Sequence, residues 1–472
     1  MAAKMEPVAE RLDLAISDDG PRSVAARAAI FTFGVRVLAA IIAYATQVVL
    51  ARMLGAYDYG IYAIIWVWVI VISVFAGLGF PTGLLRFIPE LLETNRLPEL
   101  RAVMVLGSAV NVGFCTLLAA GGVAFILLFP QFIDNAFVIP LVLAATCLPI
   151  MTLVDNQDGV AQAFDWPDLV TLPPFLVRPI VILFAFVAMT LAGVEATAST
   201  AMLATVFGVY LVSFAQLIIL TRRVRKRIGP GPMEGSVSPW VKAAFPMLLV
   251  EGFFLLIINT DVMVAGWFIP PDQVAVYYAA AKTLALVHFV SFAIRVATMH
   301  KIAKYHAGGN KEALARTVAD ALNWTFWPTV ALAVLLGSVG SLILSIFGEG
   351  FEAGLPFLLV LLFGVIIRST VGPAESMLTM GDAQKTAAWI YALVFVANVC
   401  LNIVLIPTIG LIGAAIATAI AMLLETVLLF VMVKKRHGIV SFIGAIKHLQ
   451  AAADDADREG NAALGSRPDP AQ

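Results

Sequence analysis

Apolar runs of about twenty residues recur along the chain between Ile30 and Val433, broken only by short polar or Gly/Pro-containing segments. An α-helix rises about 1.5 Å per residue, so each run is long enough to cross about 30 Å of hydrocarbon. The pattern predicts twelve membrane-spanning helices, over 30–54, 58–81, 102–129, 136–156, 170–191, 198–220, 243–268, 274–299, 320–346, 354–379, 386–406 and 411–433. The polar phrase DNQDG is expected to end the fourth span, and Arg178-Pro179 interrupts the fifth. Runs such as IIWVWVIVISVF lack the alternation of barrel strands, which excludes a membrane β-barrel.

Composition agrees: 61% of residues are hydrophobic and 13% charged, with a mean hydropathy of +0.95. A soluble domain carries about 45–50% apolar and about 25% charged residues. Cys115, Cys147 and Cys400 all fall inside apolar runs, so they read as small buried hydrophobes and not as a disulfide framework or metal site. The first 26 residues have no apolar core of the signal-peptide kind, so the first span is expected to be retained. The polar, Ala-rich end of the chain is expected to be disordered beyond about Gln450.

Lysine and arginine accumulate in cytoplasmic loops of membrane proteins. One set of alternate connections carries Arg22 and Arg27; Arg86, Arg96 and Arg101; Arg222, Arg223, Arg225, Lys226 and Arg227; Lys301, Lys304, Lys311 and Arg316; Lys385; and Lys434, Lys435 and Arg436. The other set carries Arg52 alone. Both termini are therefore expected in the cytoplasm. The chain also repeats itself: VVLARMLGAYDYGIYA from 48 resembles VMVAGWFIPPDQVAVYYA from 262, and RRVRKR from 222 is echoed by KKRH from 434. The expected organisation is an N-terminal tail (1–26), a six-helix lobe (27–227), a linker (228–242), a second six-helix lobe (243–436) and a tail (437–472). Six crossings per lobe give parallel repeats, with a substrate path between them. The fold class is thus all-α integral membrane, two lobes around a central cavity.

The phrases LARMLGAYDYGIYA, LLRFIPE and NVCLNIVLIPTIGLIGAAIATAIA, in this order across residues 28–435, resemble the Wzx-type lipid-linked oligosaccharide flippases. These are polysaccharide transporters of the multidrug, oligosaccharidyl-lipid and polysaccharide exporter superfamily. The resemblance implies a V-shaped pair of lobes around a cationic cavity lined by the first two helices of each lobe. It further implies a bacterial inner-membrane location and passage of an undecaprenyl-pyrophosphate-linked glycan to the outer leaflet. The implied partners are the lipid-linked glycan, membrane lipids, and polysaccharide polymerase and chain-length machinery. The loop LLRFIPELLETNRLPELR lacks the GxxxDRxGRR-like pattern of the major facilitator superfamily, and no outward loop is large enough for a polysaccharide polymerase.

Charge inside hydrocarbon costs about 2.5 to 3.5 kcal/mol at a helix centre, so intramembrane ions are candidate functional groups. Long basic side chains near span ends can instead reach the headgroups. Arg36 shares a helical face with Ala40, Ala43 and Gln47, a stripe suited to a cavity wall. His288 and Arg295 share a face of the eighth span, whereas Lys282 points elsewhere. Asp261 is expected to pair with Lys282, and Arg368 with Glu375 seven residues on, either pair being substrate-binding or structural. Arg178 is expected to neutralise Asp155 and Asp158.

No nucleophile and base constellation, Walker motif, zinc spacing or dinucleotide fingerprint is legible, and no cofactor is expected. Three functions fit the pattern. Flipping of a lipid-linked glycan needs cations for an anionic pyrophosphate. A drug or organic-cation antiporter favours carboxylates, with Glu251, Asp261 and Glu375 available. A glycan-polymerising membrane enzyme needs a placed acid at a water-exposed mouth, where Asp155, Asp158, Asp165 and Asp168 are the only offer.

Overall fold

The computed structural model describes residues 21–308, 310–379, 384–438 and 440–445. Among them are fourteen α-helices and no strand: α1 (Pro21–Ala76), α2 (Phe80–Glu93), α3 (Leu97–Leu128), α4 (Asn135–Ala163), α5 (Pro167–Leu172), α6 (Arg178–Leu191), α7 (Ala198–Ile228), α8 (Val237–Phe268), α9 (Pro271–Ala307), α10 (Lys311–Ser345), α11 (Leu355–Ser369), α12 (Ala374–Thr379), α13 (Gln384–Ile409) and α14 (Leu411–His437).

Eleven continuous stretches are long and apolar enough to cross a bilayer. The first, Gly34–Glu93, spans 60 residues, twice or more the length that about 30 Å of hydrocarbon requires. It holds Gly55 at φ 75° and ψ 169°, a conformation open to glycine and strained for other residues, which breaks the helical path. That stretch makes two crossings, so the expected twelve are present.

The lobes show the repeat in their packing. In the first, α3 lies on α4, α4 on α7 and α6 on α7; in the second, α10 lies on α11, α11 on α14 and α13 on α14. Lipid offers helices little hydrophobic reason to associate, so close approach through small residues takes over. A Cβ at Gly159 of α4 would stand 2.5 Å from the Pro81 carbonyl oxygen.

Three expectations are corrected. The fourth span does not end at DNQDG: α4 continues to Ala163, with several of the polar side chains there hydrogen-bonded by neighbouring helices. Asn111 of α3 donates to the Gly77 carbonyl at 3.0 Å and to Asn156 at 3.5 Å, and Gln157 donates to Ser213 of α7 at 3.4 Å. The tenth span is not continuous but breaks at 370–373, where Gly372 takes φ 49° and Pro373 follows. The freed carbonyls are used by the start of the C-terminal tail: Ile443 N–H donates to Thr370 at 2.9 Å and the buried Ser441 hydroxyl to Val371 at 2.9 Å. The expected disorder beyond about Gln450 lies outside the described residues, as does most of the N-terminal tail. Cys115 and Cys147 are buried as expected, but Cys400 is exposed. The fifth span enters through α5 and a π-helical turn at Pro173–Val177, where two prolines lack the N–H groups that regular helix needs.

The lobes meet chiefly through α1 and α9. At the end opposite the basic loops the contact is intimate. Tyr59 packs on Tyr278 and Phe351, Tyr44 stands edge-on to Phe347 and bonds Thr283 at 2.9 Å, and Arg52 donates to the Ile346 carbonyl at 2.6 Å. At the basic end, the linker between lobes is strapped to the first lobe. Arg101 donates to the carbonyls of Ile228, Gly229 and Pro232, and Glu234 N–H donates to Pro98.

Candidate functional site

Arg36 sits on the first arm of α1, half-buried, with its guanidinium 5.2 Å from the ring centre of Phe175 and 4.8 Å from that of Phe292. Phe175 belongs to the π-helical turn of the first lobe and Phe292 to α9 of the second. Two aromatic faces fix the cation by their quadrupoles while leaving its N–H edge unspent. Among the described residues Arg36 makes no ion pair. Gln47, three turns deeper, is held inside its own lobe, accepting from the Tyr59 hydroxyl at 3.0 Å.

On α9, Arg295 lies 5.9 Å from the ring centre of the same Phe292, so one ring serves two guanidiniums. Arg295 also pairs with Glu375 at 3.1 Å. Glu375 in turn lies 3.5 Å from Arg368, and Arg368 reaches Glu425 of α14 at 2.8 Å. The expected Arg368–Glu375 pair is therefore present, as the middle of a chain of four ions that ties α9, α11, α12 and α14 together. Glu425, nearly buried, was missed by sequence reasoning, although the rule that flagged the others applies to it in the run MLLETVLL. His288 is exposed on α9.

Asp261 does not pair with Lys282. Its two oxygens accept from the Tyr277 hydroxyl at 2.6 Å and the Val262 N–H at 2.8 Å, while the Lys282 ammonium lies 4.6 Å over the Tyr278 ring. A tyrosine reached the carboxylate first, a partner that charge matching does not see. Nor does Arg178 form an ion pair with Asp155 or Asp158. Its guanidinium instead contacts the Met151 sulfur at 3.5 Å. Asp168 pairs instead with Arg223 at 2.6 Å.

A cavity of about 970 Å³ opens between α2 and α4 of one lobe and α8 and α13 of the other, mostly apolar, with Asp155, Asp158, Gln162 and Glu251 among its walls. Glu251 accepts a short hydrogen bond from Thr82 across the lobes. Cationic side chains thus lie near the α1/α9 seam and carboxylates in the cleft beside it. Arg178 lies one helical turn past Phe175, at the start of α6.

A family model described as polysaccharide biosynthesis protein matches residues 25–304, more than half of the chain. The chain belongs to that family. A second model, lipid II flippase MurJ, matches residues 168–453, and together they place the chain in the flippase branch of the exporter superfamily. An uncharacterized membrane protein of Methanocaldococcus jannaschii is 22% identical over 407 residues, covering 81% of this chain and 78% of that protein. Two solved structures share the fold. An inward-facing multidrug resistance MATE family transporter has a TM-score of 0.71 at 14% identity, over 88% of this chain and 99% of that one. Lipid II flippase MurJ in an inward closed conformation has 0.70 at 15% identity, over 93% and 94%.

Proposed function

We propose that this member of the family flips an oligosaccharide linked through a diphosphate to a long isoprenoid lipid, without covalent change to it. The carrying observation is Arg36: a cation stacked between rings of both lobes, with no carboxylate to neutralise it and water able to reach it. A diphosphate leaving bulk water gains from such a group, since attraction strengthens as the effective dielectric falls from about 80 towards about 20. The guanidinium offers two parallel N–H groups to phosphate oxygens. Because Arg36 bridges the lobes only through Phe292, a bound anion would report on whether the lobes are together at that seam.

The test is complementation of a flippase-deficient strain together with membrane protein level. Losing a hydrogen bond to a charged partner removes about 1.5 to 3 kcal/mol, so Arg36→Gln is expected to lower export by about ten- to a hundredfold at normal abundance. Arg36→Lys should keep part of the activity through its charge. Normal export by the glutamine variant would remove Arg36 from the site. The same strain checks orientation: reporter fusions at residues 225 and 271 should lie on opposite faces, with 225 cytoplasmic.

A further inference from the structure

The break in the tenth span is bridged twice. In an unbroken helix the Thr370 carbonyl would accept from the Ala374 N–H. Here that N–H donates to Val371 at 3.3 Å, and the Ile443 N–H takes its place on Thr370 at 2.9 Å. Val371 also accepts from the Ser441 hydroxyl at 2.9 Å, and Ser441 is wholly buried. The chain turns back towards this notch because Gly438, at φ 69°, ends α14 in the left-handed region. Ile443 packs against the buried cluster that holds Leu322, Val371 and Leu378, and Phe442 stands edge-on to Phe430 of α14 at 6.0 Å. The second bridge is ionic. Arg368 before the break and Glu375 after it lie 3.5 Å apart, and Glu375 also holds Arg295 of α9 at 3.1 Å. Glu375 is the second residue of α12, so whatever sets the position of α12 sets the partner of Arg295.

Resting on the reading of Arg36 above, we infer that Val440–Ala445 is a regulatory strap: docked, it holds α12 so that Glu375 neutralises Arg295, and withdrawn, it frees Arg295 to add a second positive charge beside Arg36. Six residues are far below the about 12 that an isolated helix needs, so α12 is fixed by what it touches. The strap supplies two hydrogen bonds at the entry to that helix. Their loss leaves the Thr370 and Val371 carbonyls short of donors in a packed interior, a costly state from which the break relaxes to another geometry. A shift of about 1 Å in α12 is enough to carry Glu375 beyond hydrogen-bond range of Arg295. Arg36 and Arg295 share the Phe292 ring, at 4.8 and 5.9 Å, so charge gained at Arg295 is felt by an anion at Arg36. The docked strap is therefore a brake on anion affinity. It follows closely on Lys434, Lys435 and Arg436, so a factor acting at the basic end of the molecule reaches a cavity group without entering the cavity.

The experiment uses the full-length protein in detergent with undecaprenyl diphosphate as the probe, binding being followed by native mass spectrometry and folding by thermal unfolding. Ile443→Pro removes the N–H that Thr370 uses, and Ser441→Ala the hydroxyl that Val371 uses. Together they should tighten the probe about tenfold. Glu375→Gln should tighten it by a similar factor, and adding the strap changes to that variant should move affinity by less than about twofold, since the carboxylate is already neutral. In an Arg295→Gln background the strap changes should do nothing. If the proline variant does not fold, Ser441→Ala alone is expected to tighten the probe about threefold. Wild-type affinity in the strap variants, or a strap effect undiminished by Glu375→Gln or Arg295→Gln, overturns the inference while leaving the flippase reading intact. A probe that binds Arg36→Gln as tightly as the wild type overturns that reading instead, and the hold of the strap on α12 is then decided by unfolding. There Ser441→Ala and Glu375→Gln should depart from additivity by about 2 °C. Additive melting shifts overturn the strap.

Discussion

Replacing Gly60 by alanine is expected to prevent the lobes from closing at the end opposite the basic loops, and replacing it by leucine to do so completely. A Cβ built at Gly60 stands 1.8 Å from the carbonyl oxygen of Pro271, backbone against backbone, so no rotamer change relieves it. Carbon and carbonyl oxygen come no nearer than about 3.3 Å, and the two segments must separate by roughly 1.5 Å at this point. Separation there also loosens the contacts of Tyr59 with Tyr278 and Phe351, which have no space to follow. A bias of about 1.4 kcal/mol against one state shifts the population tenfold, and a transporter that cycles through that state slows accordingly. Spin labels at Tyr57→Cys and Gln273→Cys, in a Cys400→Ser background, should report a longer and broader distance in the alanine variant, with export down by more than tenfold at near-normal abundance. Wild-type distance and export in Gly60→Leu would show that this contact is not part of the cycle.

Arg368→Met is expected to be the most destabilising single change among the intramembrane charges. Arg368 answers both Glu375 and Glu425, and Glu425 is almost wholly buried. Removing one partner of a buried pair leaves an uncompensated charge, costing about 3 to 5 kcal/mol, whereas removing both is often nearly neutral. Glu375 keeps Arg295, so the loss falls on Glu425. Thermal unfolding in detergent should show a large drop for Arg368→Met and substantial recovery when Glu425→Met is added. Arg36→Gln, whose residue has no carboxylate to orphan, should melt with the wild type. If Arg368→Met melts there too, the four-ion chain does not hold the second lobe together.

Most of the architecture was legible in the sequence because hydrocarbon permits so few spanning structures. Crossings, lobes and the repeat follow from run length and from the echo of 48–63 in 262–279. What was lost was lost to local satisfaction of polar groups. DNQDG looks like a helix end to hydropathy, yet Asn111, Ser213 and Gln216 let it continue as helix. Charge matching found Arg368 with Glu375, since seven residues on one helical face is a one-dimensional fact. It failed for Asp261 and Lys282: a tyrosine hydroxyl from the next span reached Asp261, and an aromatic face one turn back on its own helix reached Lys282. Glu425 has no cation within a turn of it in the last span; its partner Arg368 lies on another span, which spacing does not reveal. The pairing of Arg36 with Phe175 and Phe292 joins three distant segments and has no trace in spacing.

The linker strapped down by Arg101 also governs how the molecule can move. With Ile228, Gly229 and Pro232 held by that arginine and Glu234 tied to Pro98, only about two residues remain free before α8 begins. Two extended residues reach at most about 7 Å. The start of the second lobe is therefore on a short leash to the start of α3, and that side of the basic end behaves as the spine of a book. Any wide parting of the covers must come at the opposite margin, where α1 faces α9 and Arg36 rests on Phe292.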